Sequence, residues 1–230
     1  MPDFPFDAVL LDADETIFDF LEAEKESVLK TAQSFDINAD EEDARIYSSI
    51  NLSFWKQLEE GTVTREELKV LRFKKWFEFL GELHTDPYAF AASYEDTLSR
   101  TGILLEGAEE FIKRLSALCP VYIVTNGLSK CQHGRMDKSP VRKYISGLFI
   151  SEEIGYTKPD RRFFDKVFEA IGITDRAKVI IIGDSLTSDM QGGRNAGIKT
   201  CRYSRFATVE NNPLCDYTIT DYNQFFDIFQ

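Results

Sequence analysis

Apolar positions follow one spacing at the start of the chain, a second as far as about Arg100, and both in alternation thereafter. Val9-Leu10-Leu11 is an unbroken apolar run, closed abruptly by Asp12-Ala13-Asp14-Glu15-Thr16. A run so short, stopped by polar residues, predicts a buried parallel strand whose C-terminal tip opens into a crevice. Beyond Thr16 the spacing becomes helical. Leu21, Val28, Leu29, Ala32 and Phe35 mark one helix, and Ile46, Ile50, Phe54 and Leu58 a second that Gly61 stops. Asp40 to Asp43 suits a helix N-terminus, where acids are favoured. Thr64 followed by Glu67 spells a capping box for a third helix bearing Leu68, Leu71, Phe77 and Leu80, ended by Gly81. A fourth is expected from about Pro87 to Leu98.

From Gly107 onward helix and strand patterns alternate. A helix through Phe111, Ile112, Leu115 and Leu118 leads to the strand Val121–Val124, closed by Thr125-Asn126-Gly127. A shorter strand follows near Leu148-Phe149-Ile150. A helix through Phe163, Phe164, Val167, Phe168 and Ile171 begins after Pro159, a residue suited to a first helical turn, and stops at Gly172. Val179–Ile182 is a fully apolar strand ending at Gly183-Asp184-Ser185. A helix from Met190 to Ala196 and an edge strand over Lys199–Tyr203 complete the expected elements. Alternation of this kind predicts an α/β fold with a parallel sheet flanked by helices. Residues 1–17 and 101–230 are expected to form that unit, and 18–100 an inserted helical domain able to close over the crevice.

At 230 residues, with 43% hydrophobic and 29% charged positions, the chain has the balance of a soluble globular protein with a full core. Its net charge of -12 argues against a nucleic acid polymer as partner, because phosphate-backbone affinity needs clustered cations. A small anionic substrate remains compatible if a few cations are placed locally. The N-terminus has no basic stretch followed by a long apolar one, and no run approaches a membrane span. No membrane partner is therefore expected, and the expected location is cytoplasmic. Cys119, Cys131, Cys201 and Cys215 lack paired metal spacing, and His84 and His133 are the only imidazoles, so reduced thiols are expected rather than zinc or disulfides.

Chemistry is expected at the strand tips. Asp12 and Asp14, Thr125 and Asn126, Lys158, and Asp184 with Asp189 beyond it all follow strands, and tips of parallel strands lie along one sheet edge. Asp12 and Asp14 repel unless a cation sits between them, the first hint of a metal. Lys158 precedes a helix start, where the dipole disfavours a cation. Together these groups offer an aspartate nucleophile, a second acid, a lysine, a hydroxyl, an amide and carboxylates for Mg²⁺, a set suited to phosphoryl transfer. Phe18 and Phe20, close after the first tip, are candidate pocket residues. Phe54, Trp55, Phe73, Trp76 and Phe77 are expected in the core of the inserted helices.

Asp12-x-Asp14-x-Thr16, Thr125, Lys158-Pro159 and Gly183-Asp184-Ser185 with Asp189 resemble, in order, the four motifs of the haloacid dehalogenase (HAD) superfamily of phosphatases. The resemblance implies a Rossmann-like core with a helical cap. It implies Asp12 as nucleophile, Asp14 as acid and base, and Lys158, Thr125 and Asn126 as phosphate ligands. Mg²⁺, with Mn²⁺ as a substitute, would be held by Asp12, Asp184 and the backbone carbonyl of Asp14, while Asp189 supports the metal or Lys158. Many members carry Gly where this chain has Glu15. Asp-Ala-Asp-Glu-Thr-Ile-Phe, with Asn51, Trp55, Gly61, Val63-Thr64, Leu68, Arg72-Phe73 and Ile150 to Gly155, is instead similar to the pyrimidine nucleoside 5′-monophosphate phosphatases. The implied partner is a small phosphomonoester, and the implied assembly a monomer or weak homo-oligomer. A sugar phosphate or phosphoglycolate stays open as substrate. The dehalogenase branch also stays open, although Asp14 and Asp184 argue against it, since that chemistry needs no acid for an alcohol leaving group.

Overall fold

The structure, a computed structural model, describes residues 4–205 and 212–229. In chain order the principal elements are β1 (Ala8–Leu11), α1 (Phe20–Ser34), α2 (Glu41–Glu59), α3 (Arg65–Leu80), α4 (Pro87–Leu98), α5 (Ala108–Ser116), β2 (Val121–Thr125) and α6 (Ser129–Lys138). They continue with β3 (Gly147–Ile150), α7 (Ser151–Ile154), α8 (Arg161–Ile171), β4 (Val179–Gly183), α9 (Gln191–Ala196), β5 (Lys199–Tyr203), β6 (Tyr217–Ile219) and α10 (Tyr222–Phe229). Every strand pair is parallel, in the order β3-β2-β1-β4-β5-β6, with Leu11 beside both Ile123 and Ile182. The order reverses direction at β1 and β4, the place where open α/β sheets leave a crevice beyond their carboxyl ends.

Period-two alternation explains why β1 and β4 read as unbroken apolar runs: both faces are buried. Val9, Leu11, Ile180 and Ile182 pack on one side with α5 and α10 residues such as Phe111 and Phe225. Ala8, Leu10, Val179 and Ile181 pack on the other with Phe163, Phe164 and Val167 of α8. Helices α1 to α4 bury a separate aromatic cluster in which Tyr47, Phe73, Trp76, Phe90 and Tyr94 meet. Their ends follow the sequence signals. Asp40 and Asp43 cap one another's backbone at α2, as do Thr64 and Glu67 at α3, and Gly81 ends α3 at φ +72°. The two connections to this insertion are themselves paired. Asp19 N–H donates to Ile103 C=O and Leu105 N–H to Ile17 C=O, both at 2.9 Å, around an antiparallel bridge between Phe18 and Leu104.

Several expectations are corrected. Lys199–Tyr203 is an interior strand, because β6 lies outside it; β6 is three residues long with only Ile219 fully buried, too short to show a period. Helix α8 does begin after Pro159, at Arg161, where the Asp160 carboxylate accepts from Arg162 N–H at 2.8 Å and so fixes the cap. Helix α6 has no apolar stripe, since half of its buried face is polar, with Gln132 and Arg135 beside Cys131 and Met136. Phe18 is fully buried in the sheet-side core rather than in a pocket. Among the described residues no helix is long and apolar enough to cross a membrane.

The C-terminal helix bears directly on the first strand tip. Tyr222 Oη donates to Thr16 C=O at 2.7 Å, and its ring stacks between Phe111 and Tyr203 at 4.5 and 4.7 Å. Tyr222→Phe keeps the stack and orphans a buried carbonyl, so a loss of about 1–3 kcal/mol is expected. Urea unfolding checks this as a lowered midpoint at unchanged slope.

Candidate active site

The tips converge. Asp12 follows β1, where its N–H bonds Ile182 C=O of β4 at 2.9 Å. Lys158, fully buried, donates from Nζ to Asp12 Oδ1 at 2.6 Å, to Asp189 Oδ1 at 2.6 Å and to Val124 C=O at 2.8 Å. An ammonium has three donors, so all are used. Burial alone pulls the Lys158 pKa down, but Asp12 and Asp189 outweigh it and hold it above the ordinary lysine value. Burial raises Asp12 to about 7, with Asp189 and Asp14 adding to the rise and Lys158 opposing it. Asp184 is likewise held well above the usual carboxylate range, first by burial and then by Asp12 and Asp189.

Each of these groups is fixed by its neighbours. Asn126 bonds both sides of the Lys158 residue: its Oδ1 accepts from Lys158 N–H at 2.8 Å and its Nδ2 donates to Lys158 C=O at 2.9 Å. The Asn126 side chain thus acts on the lysine. Thr125, buried at the end of β2, accepts the Gly127 N–H at Oγ1, 3.1 Å away. Asp189 Oδ2 accepts from Ser185 N–H at 3.2 Å, which folds the segment after β4 back on itself. A Cβ on Gly183 would lie 2.4 Å from that carboxylate, so this position has room only for glycine.

Asp14 points elsewhere. Its carboxylate pairs with Arg135 at 2.7 Å and accepts from Gln132 Nε2 at 2.8 Å, both on α6. It stands outside the cluster of Asp12, Asp184 and Asp189, whose ligand oxygens lie within 4.8 Å of one another. Glu15 adopts φ +58°, the left-handed region that glycine enters most readily, and its Oε1 accepts from Leu21 N–H of α1 at 2.9 Å. That bond offsets part of the backbone strain.

The three clustered carboxylates have one ammonium among them, and Asp184's carboxylate accepts no hydrogen bond among the described residues. Hard oxygen donors with surplus negative charge fit Mg²⁺. The cluster opens into a cavity of about 270 Å³ between the sheet edge and the inserted helices, lined on the insert's side by Phe20, Trp55, Glu59 and Arg72. Trp55 therefore faces the cavity, whereas Phe73, Trp76 and Phe77 are core. Pattern reading passed over Gln132, Arg135 and Arg65. The first two lie on a helix with no apolar period, and Arg65 is one charge among many on an exposed helix start.

Comparison with known proteins agrees with this geometry. A family model described as haloacid dehalogenase-like hydrolase matches residues 6–197. The chain is similar to the pyrimidine 5′-nucleotidase PynA of Streptococcus pneumoniae, 35% identical over 85% of this chain and 83% of that one. It is also similar to the pyrimidine 5′-nucleotidase YjjG of Escherichia coli, 31% identical over 85% of each. A crystal structure of the HAD-hydrolase YfnB of Bacillus subtilis, bound to magnesium and described as revealing interdomain movement, superposes with a TM-score of 0.90. That match has 31% identity and covers 98% of this chain and 99% of the other.

The raised carboxyls set a sign for stability. Between the ordinary aspartate value of 3.8 and about 7, Asp12 binds protons more tightly folded than unfolded, so metal-free stability falls as pH rises through that window. Mg²⁺ binds the deprotonated site, so it is expected to stabilise more at pH 8 than at pH 5. Denaturant unfolding at both pH values, with Mg²⁺ and with chelator, measures the difference; equal stabilisation would contradict the assignment.

Proposed function

The chain belongs to the haloacid dehalogenase-like hydrolases, and we propose that within that family it is a Mg²⁺-dependent phosphatase of pyrimidine nucleoside 5′-monophosphates. The observation that carries the proposal is the buried Lys158 bridging Asp12 and Asp189 at 2.6 Å each, two members of a cluster of three carboxylates completed by Asp184. A divalent cation offsets the excess negative charge of three carboxylates over one ammonium, and so lets a dianionic phosphoryl group approach. The similarity to two pyrimidine 5′-nucleotidases over most of the chain supports the substrate class. Phe20 and Trp55, lining the cavity from the insert, are aromatic surfaces suited to a base.

In this reading Asp12 attacks phosphorus in line with the ester oxygen, forming an acyl phosphate as the P–O bond to the nucleoside breaks. Asp14 gives its proton to the departing 5′-oxygen, then takes one from the water that attacks the phosphoaspartate; inorganic phosphate leaves and Asp12 is restored. Gln132 and Arg135 orient Asp14 for both transfers. Thr125 donates to one phosphoryl oxygen and Lys158 turns the N–H now on Asp12 to another, while Asn126 and Asp189 hold Lys158. Asp12, Asp184 and the carbonyl of Asp14 would hold Mg²⁺, which would supply charge neutralisation to the transferring group. We assign 18–100 as the cap that excludes water, and 1–17 with 101–230 as the catalytic core.

Phosphate release from UMP, dUMP, dTMP, sugar phosphates and phosphoglycolate, with Mg²⁺ and with chelator, tests the proposal. Selective Mg²⁺-dependent release from the nucleotides is expected, and none from Asp12→Asn. Asp14→Asn is expected to keep Mg²⁺ binding and lose turnover by roughly 10²–10⁴-fold. Inert nucleotides beside an active sugar phosphate would retain the chemistry and overturn the substrate. Turnover that ignores the chelator would overturn the metal.

A further inference from the structure

Arg65 opens α3 in the inserted helices, yet its guanidinium ends at the sheet edge. Nη1 donates to Asn126 C=O at 3.2 Å, and Nη2 donates to Ser151 Oγ at 2.9 Å. Ser151 Oγ in turn donates to the same Asn126 carbonyl at 3.2 Å. Asn126 is the residue whose side chain bonds the N–H and C=O of Lys158, and Lys158 Nζ touches Asp12. Hydrogen bonds at Asn126 and Lys158, joined through those two residues, thus connect the insert to the reacting carboxylate.

A neighbouring contact supplies the contrast. Lys69, one turn further along α3, pairs with Glu152 at 2.7 Å, and the other oxygen of Glu152 accepts from Ser129 N–H at 2.7 Å. That pair docks the same helix on the same face without touching Asn126 or Lys158. We propose that Arg65 is a positioning residue: when the insert docks, it fixes the Asn126 peptide and with it the Lys158 ammonium, so the phosphate subsite is complete only in the docked state. The proposal rests on the phosphatase reading. It adds that the insert acts on phosphate binding itself as well as on the leaving group.

Orthovanadate and inorganic phosphate, as inhibitors of Mg²⁺-dependent p-nitrophenyl phosphate hydrolysis by the full chain, read the phosphate subsite without reference to a base. Arg65→Gln is expected to weaken both inhibitors about tenfold, the scale of one hydrogen bond to a charged group, with partial recovery in Arg65→Lys. Lys69→Gln is expected to leave both inhibition constants within about twofold, because the partly buried Lys69–Glu152 pair touches neither Asn126 nor Lys158. Arg65→Gln added to Asn126→Ala is expected to cost nothing further, because the path is already cut. Equal losses in Arg65→Gln and Lys69→Gln would make Arg65 a docking contact only and overturn the proposal, as would additive losses in the double variant. A wild-type protein that neither hydrolyses the ester nor binds vanadate would overturn the phosphatase reading itself.

Discussion

Burying an ammonium is tolerable only when opposite charge meets it, and the site grows out of that constraint at Lys158. Desolvating a lysine costs several kcal/mol unless carboxylates and a carbonyl take up its donors, which Asp12, Asp189 and Val124 do. Each partner then makes its own demand. Asp189 needs Gly183 to be bare, Asp12 must leave β1 where Ile182 can hold its N–H, and Lys158 needs Asn126 on both sides of its residue. A hydrophobic residue at 158 would leave Asp12 and Asp189 buried without their counter-charge.

The same balance separates the two leading aspartates. They stand one residue apart, yet Asp12 faces the sheet edge and its carboxylate cluster, while Asp14 turns to Arg135 and Gln132. Directly after them Glu15 takes a conformation that L-residues enter at some cost. Two acids with one residue between them thus have different neighbours.

Much of this was legible in the sequence because the relevant physics is local. β1 and β4 announce themselves as doubly buried runs, and Thr64 and Glu67 as a cap that needs no tertiary partner. Asp12, Lys158, Asp184 and Asp189 meet as strand-tip reasoning expects. What was missed depends on partners far along the chain. α6 shows no period because half of its buried face is polar, with Gln132 and Arg135 turned towards an aspartate 118 positions from Gln132. β6 pairs with a strand already counted as an edge. Trp55 and Phe73 look alike in sequence; only the packing of α2 against the cavity tells them apart.

The paired connections at Phe18 and Leu104 have a mechanical consequence. Two crossing segments cross-linked by backbone hydrogen bonds behave as a ribbon, stiff against sliding and twisting within its plane and compliant in bending across it. A strap of this kind ties the inserted helices to the sheet at both crossings, so the register in which α2 and α3 face the strand tips is set by the tether itself.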